Sequence, residues 1–189
     1  FNLRGSISTG YRAPSLQQKY FSNTVSAFSN GVLVQNRIAN NDDELTRLAG
    51  IPALKQETSI NGSFGFTWKP APAWSVSVDG YNIQMKDRVV LSGQFTVTDP
   101  AISTALRNKM LDLDVVASQF FANAVNTTNR GLDVVVSYKK SIKKDQSLNV
   151  LFVGNFQNIS IDKINVPVEL QNSKYATDPY YTSRAKYFS

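Results

Sequence analysis

The sequence predicts an all-β chain of antiparallel up-and-down strands, a fragment of a large transmembrane β-barrel with long extracellular loops. Three observations predict it. Apolar and polar residues alternate with period two over several stretches, which gives each strand one apolar and one polar face. The connections between those stretches run long, short, long, short, long, so all short turns fall at one end and all long loops at the other, as in outer-membrane barrels. Trp68, Trp74 and Tyr138 share the apolar face beside the short turns, where amphipathic rings suit a membrane interface.

Composition limits the chemistry. The chain has 189 residues, 42% of them hydrophobic, and no run of about 18 apolar residues that would make a membrane helix. Its mean hydropathy of −0.24 does not argue against a barrel, whose alternating strands average to a polar-looking chain. There is no cysteine, so no disulfide or thiolate metal site, and no histidine, the commonest general base and metal ligand. No carboxylates are paired in a catalytic pattern and no glycine-rich phosphate loop occurs, so neither a catalytic nor a metal-ligating residue is assigned, and no cofactor. The net charge of +6, from 20 basic and 14 acidic residues, is too diffuse to argue for nucleic acid. The chain starts at Phe1 inside a strand-like pattern and is read as part of a longer protein.

In order along the chain, Phe1, Leu3, Gly5 and Ile7 alternate with Asn2, Arg4, Ser6 and Ser8, predicting a strand over 1–9. Pro14 ends it. Leu16 to Phe21 reads as a helical turn capped by Ser15, and Ser22 opens a polar loop rich in Ser and Asn. Asn41-Asp42-Asp43-Glu44 starts a short helix through Leu48, stopped by Gly50. Ile60, Gly62, Phe64, Phe66 and Trp68 form the apolar face of a strand over 57–69, and Lys69-Pro70-Ala71-Pro72-Ala73 breaks it. The return strand, 74–90, carries Trp74, Val76 and Val78 outward and changes phase near Gly80, through a bulge or by leaving the apolar zone.

A second long connection follows. Ile102, Leu106, Met110, Leu113 and Val116 have helical spacing within 101–120, with Thr98 or Asp99 to cap it and Pro100 in its first turn. This helix is expected to pack on its own loop; in an isolated fragment it is also the best available cover for the apolar sheet face. Strands over 125–139 and 147–160 come next. Leu132, Val134, Val136 and Tyr138 share one face of the first; Leu148, Val150, Phe152, Gly154 and Phe156 share one face of the second. The lysines around the turn at Ser141 read as gatekeeping charge. A polar stretch from Ile159 to Ser189 ends in the aromatic and basic PYYTSRAKYF cluster. Five strands cannot close a membrane barrel, and an open sheet leaves backbone groups unpaired in lipid, so the strands belong to something larger.

Four segments resemble, in order, the C-terminal barrel of TonB-dependent outer-membrane receptors. GYRAPSLQQKYF at 10–21 is similar to that family's Phe/Tyr-Arg-Ala-Pro-Ser segment, and LKQETS at 54–59 to its Leu-Lys-Pro-Glu-x-Ser, with Gln56 where proline is usual. WSVSVDGYNIQMKDRVV at 74–90 resembles a strand ending in Lys-Asp-Arg-Ile. FFANAVNTTNRGLDVVVSY at 120–138 resembles an Asn-Ala, Thr, Gly-Leu/Val-Glu/Asp segment, with Asn126 where Asp is common and Asn129 where Thr is common. The resemblance implies about 22 strands around a plugged lumen, with residues 1–189 as part of the C-terminal β-barrel domain, the plug and TonB box lying outside them. It implies energised import of a scarce ligand of siderophore, cobalamin or glycan type across a Gram-negative outer membrane. The implied partners are outer-membrane lipid, the small-molecule or glycan ligand, and TonB through the missing N-terminal segment.

By parity the lumen-facing positions include Glu57, Ser59, Asn61, Ser63, Ser75, Ser77, Asp79, Asp133, Asn155 and Gln157. They suit a hydrated wall, and ligand-contact residues are not assigned among them. The alternative is a soluble β-rich binding or adhesion module, which Val135, Leu151 and Val153 on the polar face favour. Dependence of the native protein on detergent separates the two. An enzyme is the weakest reading.

Overall fold

The computed structural model describes residues 1–29, 32–100, 102–143 and 146–165; the PYYTSRAKYF cluster lies outside them. All five strands expected from alternation are present: β1 (Asn2–Arg12), β4 (Glu57–Trp68), β5 (Trp74–Leu91), β7 (Val115–Lys143) and β8 (Gln146–Ile164). Three shorter strands join them, β2 (Asn23–Ser29), β3 (Val32–Ala39) and β6 (Phe95–Thr96). The sheet order is β1-β4-β5-β7-β3-β2, with β6 and β8 also pairing β7. Side-chain partners on the long strands run in opposite directions. Arg4 meets Thr67 while Arg12 meets Glu57, and Trp74 meets Tyr138 while Asp87 meets Asn126, so these pairs are antiparallel.

Three expectations need correction. The supposed polar loop after Ser22 holds an antiparallel hairpin, β2 on β3, with Asn23 opposite Ile38 and Phe28 opposite Leu33. β3 then lies parallel to the start of β7, Gln35 opposite Val115 and Ala39 opposite Phe120. The helix foreseen over 101–120 is α3 (Thr104–Asp112), capped by Ser103, whose Oγ accepts the Leu106 N–H at 3.2 Å. Asp99 is instead buried, its carbonyl accepting from Arg107 at 3.0 Å. Asp114 adopts φ 55°, a left-handed conformation, and the chain continues directly as strand from Val115. The other two helices form where expected. In α1 (Leu16–Tyr20) Ser15 and Gln18 make a reciprocal capping box, and in α2 (Glu44–Leu48) the Asp43 carboxylate accepts the Leu45 N–H at 3.0 Å. Gly50 follows α2 at φ 69°, where a side chain would be strained.

The chain divides into two compact units. The first comprises Phe1–Gly10, Thr58–Met85 and Thr127–Asp162, and among the described residues it holds strands and the turn at 69–73 but no helix. The second comprises Tyr11–Glu57, Lys86–Asn126 and Lys163–Ser189, and among the described residues it holds α1, α2, α3, β2, β3 and β6.

Among the described residues every buried hydrophobic side chain belongs to the second unit. Leu45 of α2 and its C-cap Ala49, Leu106 and Met110 of α3, and Val115, Phe120 and Val125 of β7 are at most 1% exposed. Lys109 closes the α2–α3 packing on Glu44 at 2.8 Å, and this hydrogen bond and charge raise its pKa above the usual lysine value. The helix therefore packs within its own unit, as expected. In the first unit Phe64, Trp68, Trp74, Leu132, Val150 and Phe152 are all exposed.

Candidate functional site

The first unit has two chemically distinct faces, because successive strand residues point to opposite sides. On the polar face Arg4 of β1 reaches across β4 to β5. Its Nη1 donates to Thr67 Oγ1 at 2.7 Å, its Nη2 to Ser77 Oγ at 2.6 Å, and its Nε to Asp79 Oδ1 at 2.7 Å; Nη2 also pairs with Asp79 Oδ2. Gly65 lies beneath this cluster. A Cβ there would sit 2.7 Å from the Asp79 carboxyl carbon and 2.8 Å from the Val78 carbonyl oxygen, so glycine makes the room. Ser6 and Ser63 hydrogen-bond at 2.8 Å, Asn61 donates to Ser8 and Ser59 at 3.4 Å, and Asn155 donates to Asp133. Gly131 of β7 is covered by the ring of Tyr81 from β5, with Cε1 2.6 Å from where a Cβ would stand.

The residues placed on this face by parity are thus largely brought together: Ser59, Asn61, Ser63, Ser77, Asp79, Asp133 and Asn155 all take part in polar contacts. Ser75 is half-buried on β5 and Gln157 exposed on β8. Arg4 and Thr67 fall on the polar face by the same alternation but were not counted among the lumen-facing positions.

The opposite face is apolar. Trp74 and Tyr138 pack at 4.8 Å between ring centroids beside the short turns, and Phe1 and Phe66 at 6.0 Å. Beyond this band the same face turns polar: Arg130 Nε donates to Asn82 Oδ1 at 3.0 Å, and Thr128 Oγ1 donates to Asp162 Oδ2 at 2.6 Å.

Glu57 belongs to the second unit and to a different network. Its carboxylate is 3% exposed and accepts from Arg12 Nη2 at 2.5 Å, Arg12 Nε at 3.1 Å and the Val89 N–H at 2.8 Å. The hydrogen bonds that Arg12 donates to Glu57, and then the carboxylate's charge, raise the Arg12 pKa above the usual arginine value. Beside it Asp87 stands at φ 56° within β5. A residue in that conformation turns its N–H and C=O out of the ladder. Asn126 Oδ1 accepts the Asp87 N–H at 2.9 Å, and Asn123 Nδ2 donates to the Asp87 carbonyl at 2.6 Å. Asn123 also accepts from the Lys55 N–H and donates to the Lys55 carbonyl, both at 2.9 Å. Lys55 Nζ completes the set on Asp87 Oδ2 at 3.0 Å.

Arg12, Lys55 with Glu57, Asp87, and Asn123 with Asn126 come from the four segments that carried the resemblance, one group from each. Their separation in sequence hid the network; no spacing rule links them. Nothing in this arrangement is a nucleophile with a base, and among the described residues no group of three or more carboxylates stands ready for a metal. What the arrangement does chemically is fix four chain segments to one another.

The family model described as TonB dependent receptor-like, beta-barrel, matches residues 1–187. No curated protein matches the chain.

Proposed function

Because the chain belongs to the TonB-dependent receptor-like β-barrel family, whose members are outer-membrane receptors and transporters, we propose that it supplies wall strands and extracellular loops to such a receptor in a Gram-negative outer membrane. The receptor imports a scarce ligand of siderophore, cobalamin or glycan type with energy delivered by TonB. The plug and the TonB-contacting segment lie outside these 189 residues, which form part of the barrel domain.

One observation carries this reading. The first unit has no buried hydrophobic residue among those described, yet one of its faces is lined with exposed Phe64, Trp74, Leu132 and Phe152. Water does not tolerate a large continuous apolar face on a monomer, whereas lipid requires one. The polar face then meets the lumen, where the Arg4–Asp79 cluster keeps its charges paired. The second unit, with its packed core, forms the ligand-side loops.

The test uses the whole receptor in its cells. Cysteines placed singly at Phe64 and at Ser63 are challenged with a water-soluble maleimide and a lipid-soluble one. Residue 64 should react only with the lipid-soluble reagent, and water-soluble labelling there would overturn the membrane reading. Ligand uptake should vanish when TonB is deleted. A soluble β-rich module is the second reading, favoured by Leu151 and Val153, which are 67% and 63% exposed on the other face of β8. A native protein that stays monodisperse without detergent would support it.

A further inference from the structure

Two glycines on the apolar face have no structural reason to be glycine. Gly62 and Gly80 do not take positive φ. A Cβ on Gly62 would meet nothing within 4 Å, and one on Gly80 would make only ordinary contacts, the nearest at 3.8 Å. Glycine in a strand interior weakens it. Here the missing side chains open a groove of about 560 Å³, walled by Ile7, Phe64, Val78 and Leu132, with Asn82 at one end. The Phe64 ring also borders Gly5, its Cδ2 lying 3.6 Å from where a Cβ there would stand.

The Asn82 end of the groove is cationic. Arg130 is exposed, holds Asn82 through Nε, and has no carboxylate partner among the described residues. Eight residues of β7 separate it from the Trp74–Tyr138 ring pair at the other edge of the band. At a rise of about 3.3 Å and a tilt of about 45°, that is roughly 19 Å along the membrane normal. Arg130 therefore stands near the far edge of an outward apolar band about 25 Å tall, at headgroup level.

We propose that this groove is a lipid site: a saturated acyl chain lies over Gly62 and Gly80, and the phosphate of the same outer-leaflet lipid rests on Arg130. The shape complements a chain without side branches, and the unneutralised guanidinium complements a phosphate, which it binds bidentately. The proposal rests on the membrane reading above, with the long loops outside the cell.

The experiment titrates the intact, detergent-purified receptor with dipalmitoyl phosphatidate and, separately, with dipalmitoylglycerol, which lacks only the phosphate; native mass spectrometry reads the bound lipid. The wild type should retain phosphatidate at least about tenfold better than the diglyceride, the size of one charge-assisted contact. Arg130→Gln should erase that preference. Gly62→Leu should fill the groove and lower retention of both lipids about tenfold, and Gly62→Ala should do so less. Heat-modifiable gel mobility and fractionation with the outer membrane establish that each variant folds and inserts. Insertion with equal retention by wild type and Gly62→Leu overturns the lipid site alone. A wild type that does not fractionate with the membrane overturns both readings.

Discussion

Replacing Glu57 by alanine tests the four-segment network most directly. The substitution removes the acceptor of the Val89 N–H and the partner of Arg12. Val89 is 7% exposed, so water does not replace the lost acceptor. A hydrogen bond to a buried charged group contributes about 1.5–3 kcal/mol. The Arg12 side chain is 61% exposed, so its ion pair adds no more than about 1 kcal/mol. Glu57→Ala should therefore make local opening easier by about 2–4 kcal/mol. Glu57→Gln keeps an acceptor for Val89 and Arg12→Ala keeps the Val89 bond, so each should cost about 1 kcal/mol or less. Hydrogen exchange of the whole receptor, read in peptides covering 86–91, measures these openings: Glu57→Ala should speed exchange by about one and a half to three decades. If Arg12→Ala proves as costly as Glu57→Ala, the ion pair rather than the buried amide holds the network, and the reasoning fails.

The remaining predictions concern neighbouring contacts. Asn123→Asp keeps an acceptor for the Lys55 N–H but loses both donations to carbonyls. It should cost about 2–4 kcal/mol in the same exchange assay, more than Asn126→Asp, which keeps the single acceptor role of that position. Gly131→Ala pushes a methyl into the Tyr81 ring and should cost about 1–3 kcal/mol of barrel stability in urea titrations. Tyr81→Ala should relieve most of that penalty, giving a double mutant well short of additive. Phe64→Arg should cost about 2–4 kcal/mol in lipid vesicles near mid-membrane. A cost near zero there would mean that residue 64 does not face the hydrocarbon.

Much of the sheet was legible because alternation is a one-strand property. Ile60 to Trp68 announces its faces without reference to any neighbour, and β4 runs where the pattern lies. The β2–β3 hairpin was lost because Ser22, Asn23, Ser26, Ser29 and Asn30 give the start of this stretch the look of a loop. Yet Val25 and Ala27 alternate with Thr24 and Ser26, and the sequence then carries an Asn30-Gly31 pair, a strong hairpin signal. The boundary between α3 and β7 was misplaced because Val116 continues the helical spacing of Leu106 and Met110 by coincidence. Nothing in the residue types marks Asp114 as the left-handed stop, since glycine is the usual signal. The polar ladder was legible by parity; the network around Glu57 was not, because its partners are chosen by sheet register. Asn123 meets Lys55 across 68 positions, a pairing that only the assembled β4-β5-β7 order brings about.

That dependence explains why four short and individually unspecific segments act as one mark. Asp87 in a left-handed conformation leaves a backbone N–H and C=O without ladder partners, and each would cost about 1–3 kcal/mol if buried and unpaired. A carboxamide is the side chain that offers both an acceptor and donors. Asn123 uses both capacities, serving Lys55 and Asp87 at once, and Asn126 takes the remaining N–H. Lys55 then neutralises the Asp87 carboxylate, while Glu57, two residues further on at the start of β4, takes Val89 and Arg12. Each segment supplies what another lacks, so the four act together as one set of contacts. All of these contacts lie within the second unit, where they tie its chain segments to one another. Loops that must hold a ligand site need such an anchor, because a long connection without one has no fixed geometry.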